Sequence, residues 1–324
     1  MPQASQTTPF VFAVDPERAP AGLERAVFAI GNFDGAHLGH RAVLDRTRRL
    51  ADELGAPAAV LTFEPHPADF FAGRPVVFRL SPSAARGRAF AELGLDGAVV
   101  LTFDARLASL SAEDFVRGVL VERLGVQAVA IGWDFHFGKG RAGSPAFLRE
   151  AGARWGFRVD VVDQVAASPS EAISSTTIRR ALEAGDVEAA ARLLGRDYAV
   201  AGVVIAGRRL GRTLETPTAN IALEPSNRLA HGIYAVEVGV EGARYGGVAS
   251  FGTRPTVDDG PPLLETFLFD FDGDLYGRVI EVAFVARIRD ELRFDSLDAL
   301  AAEMARDKAR AGEILAARKG ATSA

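Results

Sequence analysis

The sequence predicts an α/β domain on a parallel sheet, followed by a small antiparallel β domain, barrel or sandwich, that closes with one helix. Three observations carry this. Through the first 195 residues, short continuously apolar runs alternate with longer amphipathic ones, the mark of strands covered on both faces and joined by helical crossovers. Near residue 198 the pattern turns to apolar/polar alternation broken by Gly, Pro and Asp, which reads as successive strands. A single helical pattern ends the chain.

Arg25–Gly31, Pro57–Phe63, Gly97–Phe103, Val126–Gly132 and Phe157–Val162 read as the parallel strands. A helix starting near His37–His40 carries Val43, Leu44, Leu50 and Leu54 at helical spacing. Another starts after Ser111, which with Asp114 three residues on has the form of an N-terminal cap. In the second part Tyr198–Ala206, Ile233–Val240, Arg244–Phe251, Leu264–Phe271 and Arg278–Ala286 are strand-like. Tyr234, Val236, Val238 and Val240 share one face, and Ile280, Val282 and Phe284 share another. The last helix begins near Ser296, apolar at Leu297, Leu300, Met304 and Leu315. The boundary falls between Ala184 and Tyr198, giving domains 1–190 and 198–324.

Composition narrows the function. With 324 residues, 48% hydrophobic and 24% charged, the chain can bury a sizeable core and is not a disordered protein. No apolar run approaches a bilayer span, and MPQASQTTPF lacks the form of a secretion signal. No membrane partner is expected. A net charge of −5 argues against broad nucleic-acid binding. The absence of cysteine removes disulfides, thiolate nucleophiles and thiolate metal sites, and a reducing cytoplasm is the expected compartment. Lys139, Lys308 and Lys319 are the only lysines among 37 basic residues, a bias of codon usage rather than chemistry. Histidine is the scarce residue to follow: His37, His40, His66, His136 and His231.

Each predicted parallel strand runs into a polar or Gly-rich segment: GNFDGAHLGH, EPHP, DARLASLS, GWDFHFGKGRAGS and SSTTIRR. Ligands of open parallel sheets bind outside these carboxyl ends. His37-Leu38-Gly39-His40 opens a helix, so an i, i+3 spacing sets both imidazoles on one side. Free amides and the positive end of the helix dipole lie beside them. Gly39 lets a phosphate chain approach the backbone. Zinc is disfavoured, because no carboxylate or third histidine is suitably spaced. A phosphate-handling site is the reading that fits.

GNFDGAHLGH resembles the HxGH signature of the nucleotidyltransferase superfamily. With TFEPHP, GWDFHFGKGRAG and ISSTTIR it resembles the adenylyltransferase half of prokaryotic bifunctional riboflavin kinase/FAD synthetases. In the second part GRTLETPTANI, GIYAVEV, GVASFGTRPTV, LLETFLFDFDGDLYGR and IRDELRFDSLDAL resemble the riboflavin kinase module. The resemblance, over roughly 25–315, implies a Rossmann-like nucleotidyltransferase domain followed by a β-barrel kinase domain. It implies ATP, riboflavin, FMN and FAD as substrates and products, with Mg²⁺ accompanying ATP.

The site residues follow from that likeness. His37 and His40 would act in adenylyl transfer, with Asn32, Phe33, Gly35, Gly39, Ser174, Ser175, Thr176 and Arg179 binding nucleotide or phosphate. Thr177 extends the Ser/Thr cluster, which standing alone would read equally well as a plain helix cap. His66, Asp134 and Phe137 would line the flavin pocket, with His136 near it, and Lys139 resembles a phosphate contact. In the kinase module Gly207 and Arg212, with Arg208 and Arg209 alongside, would meet ATP, and Thr218 and Asn220 would hold the metal. Glu265 would be the base that takes the proton of a neutral alcohol. It is in phase with Phe267, Phe269 and Phe271. If that face lines the barrel, Glu265 stands at the mouth of an apolar pocket; otherwise the aromatics face out against another element. Glu215-Thr216 replace the Gly-Phe common before PTAN, and Ser250 replaces a common Asn. An adenylyltransferase with an impaired kinase module, acting mainly as a flavin-binding domain, is therefore the alternative. Other HxGH transferases and a flavin-binding regulator are further rivals. His231 has no assigned role.

Overall fold

A computed structural model describes residues 9–81, 83–168, 171–205, 218–252 and 262–322. The chain forms two compact units, Met1–Val77 with Ser83–Ile173, and Phe78–Pro82 with Ser174–Ala324.

The first unit is built on a six-stranded, all-parallel sheet. Its strands are β1 (Val11–Val14), β2 (Val27–Ile30), β3 (Ala58–Glu64), β4 (Gly97–Thr102), β5 (Ala128–Gly132) and β6 (Arg158–Val162), in the order β1-β4-β3-β2-β5-β6. Alternate residues of the apolar runs feed two separate cores. Phe28, Ile30, Leu61, Val99 and Ile131 face one side, and Val27, Ala29, Val60, Ala98 and Ala130 the other. All five strands expected from the sequence are present. The edge strand β1, four residues long with Phe12 and Val14 more than half exposed, escaped the pattern because an edge needs no two-sided burial.

The helices are α1 (Leu38–Leu54), α2 (Pro67–Ala72), α3 (Ser83–Glu92), α4 (Ala105–Ser109), α5 (Ala112–Asp114) and α6 (Pro145–Trp155). Ser111 caps α5 by accepting from the Asp114 N–H, as its sequence form predicts. The segment then continues as a π-helix over Phe115–Arg123, which the helical periodicity did not distinguish. A small hairpin, β7 (Ala166–Ser168) and β8 (Glu171–Ala172), follows β6.

The second unit holds β9 (Tyr198–Val203), β10 (Ala219–Ala222), β11 (Gly232–Val240), β12 (Ala243–Gly252), β13 (Leu263–Leu268) and β14 (Val279–Arg289). They form an antiparallel sheet in the order β10-β13-β12-β11-β14-β9. A bridge between Ile205 and Asn220, with Ile205 N–H donating to Asn220 O at 2.9 Å, brings the two ends nearly together as a barrel. Tyr234, Val236, Val238, Ile280, Val282 and Phe284 fill the interior, as their alternation predicts. Helices α7 (Ser175–Glu183) and α8 (Val187–Leu194) group with this unit, not with the first part of the chain as in the sequence reading. Their contacts explain it: Ala230 N–H donates to Leu182 O at 3.0 Å, and α8 packs on β14.

The last helix, α9 (Leu297–Thr322), lies over the outer face of β11, β12 and β14. Arg289 of β14 holds it with a bidentate bond to Asp307, at 2.9 and 2.6 Å, both side chains being largely buried. Lys308 sits over the Phe267 ring, 4.1 Å from its centroid. Burial pushes the Lys308 ammonium below its ordinary pKa.

Candidate active sites

In the first unit the chain leaves β2, crosses through α1 to β3 on one side, and later returns to β5 on the other side. The crevice at the carboxyl end of β2 is therefore a topological switch point, where open α/β sheets bind ligands. The GNFDG turn begins there. Phe33, Gly35 and Ala36 all have positive φ, at 49°, 85° and 43°, so the turn is held in a conformation that costs energy in non-glycine residues. Phe33 contributes packing: its ring is 2% exposed and meets His40 edge-on at 5.3 Å and Phe90 at 6.2 Å. Any nucleotide contact from Phe33 falls to its backbone.

His37 is the N-cap of α1. Its Nδ1 accepts from the His40 N–H at 3.1 Å, which in the neutral ring puts the proton on Nε2. The two imidazoles stack, with centroids 3.6 Å apart and planes 16° from parallel. Gly39 is explained by this stack. A Cβ there would press on the His37 ring at 3.2 Å. The spacing seen in the sequence thus assembles one polar surface at a helix N-terminus.

Asn32 and His66 join that corner. Their side chains meet at 3.3 Å, and His66 caps α2 by accepting from Ala68 N–H through Nδ1. With Nδ1 so engaged, His66 carries its proton on Nε2, and Asn32 turns its amide oxygen toward it. Thr62 Oγ1 donates to Asn32 O, and the buried Arg86 guanidinium ties the same carbonyl to Glu64.

Other predicted residues lie in different settings. Asp134 is exposed at the end of β5, and its backbone carbonyl meets His136 Nδ1 at 2.8 Å. Phe137, expected at the flavin pocket, is a core residue. Its ring is 8% exposed, packs on Phe115 and Phe147, and leaves no room for a Cβ at Gly143. Lys139 is exposed, and its N–H is spent on Leu110 O. Ser174 caps α7 in the second unit, bonding Thr177 N–H at 3.1 Å; Ser175 and Thr176 follow in its first turn. Arg179 donates to Phe78 O at 2.7 Å. The sequence reading missed an aromatic cluster of Phe70, Phe71 and Phe103, with Phe71 72% exposed. Its signal was ADFF directly after EPHP, on a helix with no buried residue. A groove of about 570 Å³ lies between α1 and β6, bordered by Ala42 and Val162 and by the charged Asp45, Arg46, Arg49 and Asp160.

In the second unit the strand register decides the geometry. Glu265 lies opposite Asn220 on one side and Ser250 on the other. Leu264, Thr266 and Leu268 point into the barrel and are buried, so Glu265, Phe267 and Phe269 face outward. The expectation that Glu265 lines the barrel is thereby corrected. The aromatic residues face α9, under Lys308. Asn220 is 4% exposed, and its Nδ2 donates to Thr218 O at 3.3 Å. Gly207, Arg208, Arg209, Arg212, Glu215 and Thr216 lie outside the described residues. Among the described residues no cluster of three His, Cys, Asp or Glu could cage a metal, and no helix is long and apolar enough to cross a membrane.

A family model described as FAD synthetase matches residues 19–177, and one described as riboflavin kinase matches residues 194–315. A Pseudomonas fluorescens protein named bifunctional riboflavin kinase/FMN adenylyltransferase is 45% identical over 291 residues, 90% of this chain and 93% of that one. Its namesake from Escherichia coli K12 is 41% identical over 302 residues, covering 93% and 96%. The chain belongs to the bifunctional riboflavin kinase/FMN adenylyltransferase family. A Streptococcus pneumoniae crystal structure titled a macrolide-efflux protein shares the fold at a TM-score of 0.79 and 29% identity, over 91% of this chain and 97% of that one. Its title names a different role, and the family assignment rests on the curated relatives. The enzyme combines riboflavin kinase and FMN adenylyltransferase activities, with flavins as substrates and products. The alternative of an impaired kinase module is not favoured, since the riboflavin kinase model matches that half as well.

Proposed function

We propose that adenylyl transfer to FMN takes place at the His37–His40 corner of residues 1–190, and phosphoryl transfer to riboflavin on the Asn220–Glu265–Ser250 face of residues 198–324. The observation that carries the first assignment is the stacked histidine pair at the head of α1. The nucleophile of adenylyl transfer is a phosphate oxygen that is already deprotonated, so no base is required. The reaction needs in-line placement and stabilisation of charge. His37 Nε2–H and the amides at the α1 N-terminus are donors of that kind. The groove beyond Ala42 is the space for the nucleoside, and the exposed Phe71 shelf beside His66 offers a surface for the isoalloxazine ring.

The kinase step starts from a neutral alcohol, and Glu265 is the base that accepts its proton. Thr218 and Asn220 supply neutral oxygens beside that carboxylate, a donor set suited to Mg²⁺, which keeps several waters and binds partly through phosphates. When bound, the ion would neutralise charge on the transferring phosphate. The cytoplasm is the compartment we propose, since a chain without cysteine needs no oxidising environment.

Incubation with riboflavin, ATP and Mg²⁺ followed by chromatography tests both assignments. Wild-type enzyme should yield FAD. His37→Ala/His40→Ala should stop at FMN, and Glu265→Gln should make FAD only from supplied FMN. Undiminished FAD output from the double histidine variant would overturn the first assignment.

A further inference from the structure

His231, unassigned by the sequence, lies at the start of β11 and faces Glu291, which follows β14. Its Nδ1 is 3.6 Å from Glu291 Oε2, and its ring meets Phe251 edge-on at 5.3 Å. The Glu291 side chain reaches across the start of β11 and lies flat on Gly252, the last residue of β12; a Cβ on Gly252 would collide with the carboxylate. Gly252 is two residues beyond Ser250 on the same outward face, and Ser250 is the cross-strand partner of Glu265. Diagonal neighbours in a sheet are ~7–8 Å apart. A second carboxylate therefore stands on the Glu265 face, on the side away from Asn220.

The chemistry of Glu291 is that of a waiting acceptor. Among the described residues no hydrogen bond reaches its carboxylate, although only about a third of the side chain is exposed, at 36%. Burial pushes its pKa up, while the neighbouring His231 pulls it down. A carboxylate offers about four lone-pair sites, and a half-buried one gains from hydroxyl donors.

We infer that Glu291, oriented by His231, binds inner hydroxyls of the ribityl chain and so selects the polyol acceptor of the kinase step. This rests on the kinase reading of the Glu265 face. With the metal-binding side at Thr218 and Asn220, the acceptor approaches from the opposite side. A five-carbon polyol spans the gap between a terminal hydroxyl at Glu265 and an inner hydroxyl at Glu291. Ser250 stands between them.

The test uses the full-length enzyme, following ATP-dependent FMN formation with riboflavin and with a flavin bearing a plain hydroxypentyl chain. Wild-type enzyme should show a KM about tenfold or more lower for riboflavin, the scale of a charge-assisted hydrogen bond. Glu291→Gln should erase that preference by raising the riboflavin KM, with the KM for ATP, kcat and adenylylation of supplied FMN unchanged. His231→Asn should raise the riboflavin KM less. Equal KM values for the two acceptors in the wild type would overturn the inference even if the variants do not fold. So would a Glu291→Gln enzyme that keeps the preference. Failure of the wild type to phosphorylate riboflavin would instead refute the kinase reading itself.

Discussion

His37 does two jobs, and substitution separates them. As N-cap of α1 it accepts the His40 N–H through Nδ1, and as a ring it stacks on His40 at 3.6 Å. His37→Asn keeps a strong cap and removes the ring. His37→Ala removes both. Loss of the stack should cost about 0.5–1.5 kcal/mol in either variant, and loss of the cap about 1 kcal/mol more in alanine alone. The stability difference between the two variants therefore isolates the cap. Catalysis should not follow that difference. Both lack the Nε2–H donor, and removing one preorganised donor typically lowers turnover by about 10²–10³, or 2.7–4 kcal/mol of transition-state stabilisation. Denaturant unfolding supplies the stabilities, and FAD formation from supplied FMN and ATP supplies the rates. Equal, large losses of FAD formation alongside unequal stabilities are expected, with FMN formation from riboflavin untouched. An asparagine variant that made FAD at the wild-type rate would show that the ring is only a cap, and the proposed chemistry at this corner would fall.

Three further outcomes follow from the second unit. Glu265→Gln should lower kcat for FMN formation by about 10²–10⁴, the range of a positioned general base, without touching adenylylation of supplied FMN; wild-type kinase turnover would move the base elsewhere. Asp307→Ala removes the bidentate partner of the largely buried Arg289 guanidinium and leaves Glu303, at 3.6 Å, as its remaining carboxylate, and should destabilise this unit by about 1.5–3 kcal/mol in denaturant unfolding. A loss under about 1 kcal/mol would mean that the Asp307 pair contributes little to holding α9. Tyr234 is fully buried, and burial raises its hydroxyl pKa from 10.0 to about 12. The unfolded chain releases this proton first, so the associated stability is complete below pH 10 and declines as pH rises through about 12. The loss approaches roughly 3 kcal/mol. Unfolding of wild type against Tyr234→Phe from pH 9 upward should show the steeper loss of stability in the wild type, the difference between the two being the share of Tyr234.

The parallel sheet was legible because both of its faces are buried. Runs such as VFAI and AVAIG need no partner element to be recognised, and the five strands they mark are all present. The edge strand β1 and the four-residue β10 were missed, one lying half in solvent and the other inside a motif read for chemistry. At the first site, the His37–His40 spacing gave the stacked pair, because the first turn of a helix fixes the geometry of i and i+3. Phe137 went the other way. An aromatic next to a polar loop looks like a ligand surface, and only the Phe115, Phe147 and Gly143 contacts show that it is core.

Glu265 shows where the limit of such reading lies. Alternation in β13 states which residues share a face, and it grouped Glu265 with Phe267 and Phe269 correctly. It does not say which face is inside. Aromatic residues argue for the interior and threonine against it, yet Thr266 is fully buried and Phe267 faces outward. The reason is α9, which gives the outer face a second apolar environment and so reverses the usual inference from hydrophobicity. That reversal has a chemical consequence. A carboxylate inside this small barrel would stand among the fully buried Tyr234, Leu264 and Phe284. On the outer face it has Asn220 on one flank, Ser250 and Glu291 on the other, and a helix as a wall. In the proposed kinase site the barrel would thus be the floor rather than the pocket, with Asn220, Glu265, Ser250 and Glu291 set side by side across its strands.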